Sequence, residues 1–138
     1  MKFIKAVFLL SFAITLVGCS SDDEEYVVNE KENIRYYVKY ESYMLLYNSR
    51  YDSKTITCIT DKGTENFIVS NAEWGGTFGP LKKGTKLYIK VRAGGAVTNA
   101  SENYVRLSVC REKEPFVIKG EERKRGAEVL STEYTIDF

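Results

Sequence analysis

The stretch KLYIKVR, residues 86–92, places Leu87, Ile89 and Val91 at every second position, with mostly basic residues between them. Successive side chains of a β-strand point to opposite faces of a sheet, so this pattern puts the three apolar side chains on one face. A strand of this kind is half buried, and its other face is in water. A period of two residues therefore indicates a fold built from β-strands.

The same alternation recurs along most of the chain, and no window shows the 3.6-residue period of a helix. Glycine-containing turn signals separate the runs, for example at residues 61–63 and 82–84. The predicted strands cover residues 34–47, 54–61, 64–70, 76–80, 85–93, 103–112, 115–120 and 128–138. Seven or eight antiparallel strands predict an all-β fold, an immunoglobulin-like or Greek-key β-sandwich, with a small β-barrel as the alternative.

The first 18 residues have the organisation of a secretory signal peptide. Lys2 and Lys5 precede an apolar run at residues 6–17, which is shorter than the ~20 residues that span a bilayer. The run ends in Leu-Val-Gly-Cys at residues 16–19, which resembles a bacterial lipobox. This resemblance implies that Cys19 is lipidated and becomes the new N-terminus. Two or more acyl chains anchor a protein stably in a membrane.

An acidic segment follows the predicted lipidation site. Its residues are Ser20, Ser21, Asp22, Asp23, Glu24 and Glu25. A run of four acids stays solvated, so residues 19–32 are predicted to form a flexible tether. The run also resembles the surface-export signal of Bacteroidota lipoproteins, which implies a surface-exposed protein on the outer membrane; a periplasm-facing anchor is the alternative. Residues 33–138 are then the folded domain, in which 17 basic and 13 acidic side chains give a net charge of +4.

A broader resemblance covers residues 38–93. Its motifs are Val-Lys-Tyr-Glu at 38–41, Ile-Thr-Cys-Ile-Thr-Asp-Lys-Gly at 56–63, Trp74, and Leu-Lys-Lys-Gly at 81–84. This order is similar to that of small β-sandwich lipoproteins of Bacteroidota. The long segment at 43–53 and Cys58, in place of an aromatic residue, depart from their pattern. The resemblance implies a fold and an envelope location, and it implies no activity.

The chain contains no histidine, and this absence excludes several kinds of catalysis. Ser-His-Asp triads, His-ligated zinc sites and imidazole acid–base chemistry all need that residue. Carboxylates stand singly on outward strand positions or as neighbouring loop pairs, which are typical of solvated rims. We therefore expect no enzyme activity, no metal and no cofactor. The formal net charge of +1 does not favour a nucleic-acid partner.

Two cysteines, Cys58 and Cys110, lie in the predicted domain. A disulfide between them would suit an oxidising envelope compartment and would contribute about 3–4 kcal/mol to stability. Cys110, however, alternates in step with Arg106 and Ser108, whereas Cys58 shares its face with Ile56. Two free thiols, one of them buried, are therefore the preferred interpretation, and the disulfide is the alternative.

Tyrosine is the residue type with the clearest functional content, because seven of the ten tyrosines lie between residues 26 and 51. The predicted first strand turns Tyr37, Tyr43 and Tyr47 outward. Two interpretations stay open: a face that binds a glycan or a protein, or a second buried face that protects an edge strand. Trp74 is predicted to pack in the core, and residues 123–125 are predicted to form a basic hairpin tip.

These patterns together predict a lipid-anchored, non-catalytic binding module on the cell surface. Its expected partners are the membrane, through the anchor, and a glycan or an envelope protein. The alternative is a structural or assembly subunit of an envelope complex or pilus-like structure, which would donate or accept a strand at a sheet edge.

Overall fold

Antiparallel β-strands form where the hydrophobic alternation occurs. The structure, a computed structural model, describes residues 33–138. Eight strands lie in this part of the chain: β1 (Tyr36–Tyr43), β2 (Lys54–Thr60), β3 (Gly63–Val69), β4 (Glu73–Leu81), β5 (Lys86–Ala93), β6 (Glu102–Arg111), β7 (Val117–Arg125) and β8 (Val129–Thr135). The predicted all-β fold class is confirmed.

The eight strands form two separate sheets. Sheet 1 has the strand order β4-β1-β6-β7, and sheet 2 has the order β3-β2-β5-β8. After the β2–β3 hairpin the chain returns to sheet 1, where β4 pairs with β1. This return is a Greek-key connection distributed over two layers. Since the sheets do not close on each other, the predicted β-sandwich is confirmed and the barrel alternative is wrong.

Alternate residues of the strands fill the space between the sheets. The buried apolar side chains of the central strands are Tyr36, Val38, Tyr40, Ile56, Cys58, Leu87, Ile89, Val91, Val105, Leu107 and Val109. The three apolar positions of residues 87–91 that the alternation placed on one face are thus all buried. The Tyr40 hydroxyl donates a hydrogen bond to the carbonyl of Ile59 at 2.7 Å. This bond joins β1 to β2 and therefore links the two layers through the core.

The largest differences from the predicted strand boundaries lie at the ends of β1 and β7. β1 ends at Tyr43, because the chain then leaves sheet 1, although Met44 and Leu46 continue the alternation and are both buried. β7 continues to Arg125, so the predicted hairpin tip at residues 123–125 is wrong. β7 is an edge strand whose side chains from 121 to 125 are exposed on both faces, which removes the alternation that marks a strand.

The predicted signal peptide at residues 1–18, the lipidation site Cys19, the export signal at 20–25 and the tether up to residue 32 lie outside the described residues. Residues Arg35–Phe138 form one compact unit. In the described part of the chain, no helix is long and apolar enough to cross a membrane.

A lysine is buried at one end of the core. Lys54, the first residue of β2, has no exposed surface, and its Nζ donates a hydrogen bond to the carbonyl of Ala72. The same carbonyl accepts the amide of Met44 at 3.0 Å, so three segments of the chain meet there. Within residues 33–138 no carboxylate lies within 4 Å of this ammonium group. Burial lowers the pKa of Lys54 to about 8.

Replacing this lysine with an apolar residue is expected to stabilise the domain at neutral pH. Below pH 8 the folded protein bears the cost of a buried charge, which outweighs the roughly 1 kcal/mol of the hydrogen bond. We expect Lys54→Met to raise the free energy of unfolding by about 2 kcal/mol at pH 7. Thermal unfolding of the wild type and the variant, followed by circular dichroism, measures this difference.

The pH dependence of this difference in the free energy of unfolding supplies the control. Between pH 8 and the ordinary lysine pKa of 10.5, the unfolded wild-type chain binds more protons than the folded one. The titration of Lys54 therefore increases the free energy of unfolding of the wild type as pH rises through this window. The advantage of Lys54→Met must therefore shrink across that window. Lys82→Met, at an exposed turn residue, should change little at any pH. A Lys54→Met variant that is less stable than the wild type at pH 7 would contradict the assignment.

Candidate functional site

The three tyrosines that the sequence grouped together lie in different places. Tyr37 and Tyr43 both point outward from β1, but they are six residues apart, which is about 20 Å along a strand. Tyr37 packs beside Gly79, where a Cβ atom would come within 2.7 Å of its ring. Tyr47 lies beyond β1, in the connection to β2, and is 81% exposed. These residues therefore do not form one ligand face.

Tyr43 instead belongs to a cluster on the outer face of sheet 1. The register of β1 and β6 places it opposite Tyr104, and the two rings stack at 6.3 Å with an angle of 15° between their planes. The guanidinium carbons of Arg106 and Arg123 lie 5.2 and 4.7 Å from the centre of the Tyr104 ring. We call these four residues the tyrosine cluster. Its members come from three neighbouring strands, β1, β6 and β7.

Ion pairs hold the cluster in position. The Nε of Arg106 lies 2.7 Å from a carboxylate oxygen of Glu121, which also pairs with Arg123. On the other side, Arg106 lies 3.8 Å from Glu41, and Glu41 lies 3.3 Å from Lys39. Hydrogen bonds from the two arginines lower the pKa of Glu121, and the bond to Glu121 raises the pKa of Arg106. Positive and negative charges alternate across sheet 1. Each arginine contacts the Tyr104 ring and also pairs with the Glu121 carboxylate, and these two contacts fix its position.

A groove of about 570 Å³ lies beside the cluster on the same face of sheet 1. It is lined by residues 73–77 of β4, by Lys39, Glu41 and Ser42 of β1, and by Tyr104 of β6. We call it the glycine groove, because Gly75 stands opposite Glu41 where any other residue would project a side chain outward. A Cβ atom built on Gly75 would meet only the carbonyl of Tyr40, at 3.4 Å. The missing side chain therefore leaves the space open without a steric need for glycine.

The neighbouring Gly76 has a different role, in the core. A Cβ atom built on Gly76 would come within 2.8 Å of the Phe78 ring and within 3.6 Å of Trp74. Trp74 packs against Phe67, with ring centres 5.3 Å apart, and contacts the core cluster. The predicted core position of Trp74 is thus confirmed. Gly76 leaves room for these rings beneath the groove.

The two cysteines lie on different faces of different sheets. Cys58 is fully buried inside the sandwich beside Ile89, whereas Cys110 is on the outer face of sheet 1, opposite Tyr37, and is also covered. Both thiols are free, so the alternative of a disulfide is not realised in the structure. Burial raises the pKa of Cys58 to about 12 and also raises that of Cys110. Thiols with raised pKa values are poor nucleophiles.

Sequence reasoning did not find Tyr104, Arg106 and Arg123 as site residues. Tyr104 and Arg106 occupy the outward positions of a strand that was correctly predicted, but nothing in the alternation shows which strand lies beside it. Arg123 was assigned to a hairpin tip. Gly75 has no side chain that the alternation could assign to a face, and the open space above it becomes visible only when β1 and β6 are in place.

No protein-family model matches the chain, and no curated protein matches it either. Within residues 33–138, no group of three or more Cys, Asp and Glu side chains is placed to hold a metal ion. The function of this domain therefore has to be inferred from the glycine groove and the surfaces around it.

Proposed function

We propose that the domain is a non-catalytic binding module and that the glycine groove takes a glycan. The observation that carries the proposal is an open, polar groove with a bare backbone floor and an aromatic wall at Tyr104. Carbohydrate has both polar hydroxyls and an apolar ring face, and it needs groups that match both. The glycine groove offers such groups within one surface.

The chemistry of the groove fits a flat, hydroxylated ring. Glu41 and Glu73 supply carboxylate acceptors, Lys39 supplies a donor, and the Thr77 hydroxyl supplies both. Tyr104 adds a rigid ring at the edge, which Tyr43 and two arginines hold in place before any ligand arrives. A surface that is fixed in advance loses less entropy on binding. The Gly75 backbone lets a sugar approach the sheet closely.

Two substitutions test the groove directly. Tyr104→Ala removes the aromatic wall and is expected to weaken glycan binding about two- to tenfold, because one stacking contact is worth roughly 0.5–1.5 kcal/mol. Gly75→Leu fills the groove and is expected to abolish binding. A glycan array probed with the full chain in detergent identifies an oligosaccharide, and calorimetric titration then measures its affinity for each variant.

Matched controls separate binding from folding. Tyr51→Ala removes a tyrosine that is 77% exposed in the β1–β2 connection and should leave the affinity unchanged. All variants should keep the wild-type melting temperature within a few degrees. If no oligosaccharide binds, or if Gly75→Leu binds as tightly as the wild type, the proposed site is wrong. Hydrolysis of the bound oligosaccharide would contradict the proposal that the binding module is non-catalytic.

The anchor belongs to the same proposal. The lipobox-like sequence at residues 16–19 and the acidic run at 20–25 support a lipoprotein that is held in the outer membrane through Cys19 and faces the cell surface. The alternative is an anchor that faces the periplasm. A tether of about a dozen residues would let the groove reach ligands away from the bilayer.

Cys19→Ala tests the anchor. Without the thiol no acyl chain can be attached, so we expect the variant to appear in the soluble fraction, whereas the wild type remains with the membranes. Ser20→Ala retains the cysteine and serves as the control for the fractionation. If Cys19→Ala stays in the membrane fraction, the protein is held there by something other than this lipid. Protease treatment of intact cells distinguishes the surface-facing from the periplasm-facing orientation.

One observation favours a second candidate, an assembly role. β3 is an edge strand with no lysine, arginine or proline, and its Ile68 is 74% exposed. Two other edge strands are better protected from pairing with another strand, β4 by Pro80 and an irregular register with β1, and β7 by its charged residues and a bulge. If a partner strand pairs with β3, the protein should co-purify in a large particle. The variant Ile68→Lys should then disrupt that particle. Loss of the particle with glycan binding retained would favour this role.

A further inference from the structure

The outer face of sheet 2 carries cations and hydroxyls in register. Lys90 of β5 stands opposite Thr57 of β2 on one side and opposite Ser131 of β8 on the other. The next outward residue of β5, Arg92, stands opposite Thr55 and Val129. The residues between them on the three strands face the core, and Ile56, Ile89, Val91 and Leu130 are buried there. Lys90, Arg92 and the residues opposite them therefore face away from the core.

Two of the three cations on this face of β5 form no ion pair. Lys86, at one end of β5, pairs with Glu133 at 3.6 Å. Lys90 and Arg92 have no carboxylate within 4 Å in the described part of the chain. Two carboxylates of neighbouring strands have other partners: Glu65 of β3 accepts a hydrogen bond from Thr60 at 2.6 Å, and Glu122 of β7 accepts one from the amide of Ser131 at 2.6 Å. This arrangement contrasts with the tyrosine cluster, where every arginine has a carboxylate partner.

The hydroxyls next to these cations can bind a ligand as well. Thr57 donates to Oδ1 of Asn66 at 2.6 Å, which leaves the amide group of Asn66 to donate outward. The row across sheet 2 thus runs from Asn66 through Thr57 and Lys90 to Ser131. Along β5, Lys90 and Arg92 are about 7 Å apart, because they are two residues apart on one strand. Lys90 therefore has a hydroxyl residue on each side of it, and Arg92 has Thr55 on one side and Val129 on the other.

From this arrangement we infer that the face around Lys90 and Arg92, which we call the basic face, binds an acidic polysaccharide. Carboxylate or sulfate groups pair with the two cations, and sugar hydroxyls bond to Thr57, Asn66 and Ser131. Two unpaired cations are too few for a nucleic acid, whose binding uses many phosphate contacts and, for single strands, aromatic platforms. The basic face is separate from the glycine groove, and neither proposal depends on the other.

The test measures binding of the full chain in detergent to two acidic polymers, polygalacturonate and dextran sulfate, at low salt. Lys90→Gln combined with Arg92→Gln is expected to weaken binding at least tenfold. Lys82→Gln combined with Lys83→Gln removes the same charge from an exposed turn and should change affinity less than twofold. If only the Lys90/Arg92 double variant loses affinity, binding of polygalacturonate alone, of dextran sulfate alone or of both supports the basic face and identifies which acid it takes.

Other outcomes overturn the inference. Equal losses in the two double variants would mean that overall charge attracts the polymers and that the basic face has no special role. Binding of neutral dextran as strong as that of dextran sulfate, or single-stranded DNA that competes as well as the acidic polymers, would contradict the ligand class. Tyr104→Ala should bind both polymers like the wild type, so a failure of the glycine groove and a failure of the basic face can be told apart.

Discussion

The pairing of β1 with β6 is the interaction on which the fold and the proposed site both depend. Over eight residues, from Tyr36 opposite Arg111 to Tyr43 opposite Tyr104, this register fixes which side chains face the core and which meet outside it. A slip of one residue would turn Tyr40 out into solvent and bring Glu41 into the core. The same register therefore stabilises the sandwich and assembles the tyrosine cluster.

The groove is linked to the core through the two faces of the same strands. Beneath it, Tyr40 contacts Phe78, with ring centres 6.1 Å apart, and bonds to Ile59 in the opposite sheet. Gly76 leaves space for the Phe78 ring inside, and Gly75 leaves space for a ligand outside. Of two adjacent glycines, one thus serves core packing and the other leaves the proposed binding site open. Because the packed core holds β4 against β1, the floor of the groove needs no support from the ligand.

The sequence predicted the strands and their inward faces better than the site. Alternation assigns a residue to a face because the period of a strand is two, and this is why Leu87, Ile89 and Val91 were placed correctly. Alternation does not say which strands are neighbours, so Tyr104 was not connected with Tyr43. It also misled at the ends of two strands of sheet 1, β1 and β7. Met44 and Leu46 remain buried after β1 has ended, and the charges of residues 121–125 hide a strand that is exposed on both faces.

The central claim is that a glycan lies over the floor of the glycine groove. Its most direct measurement is a nitrogen–proton NMR titration of the labelled protein with an oligosaccharide selected on the array. We predict that the largest shifts belong to the amides of residues 73–77 and of Tyr104. Shifts confined to the β1–β2 connection around Tyr47, or to the outer face of sheet 2, would show that the sugar binds elsewhere and would contradict the claim.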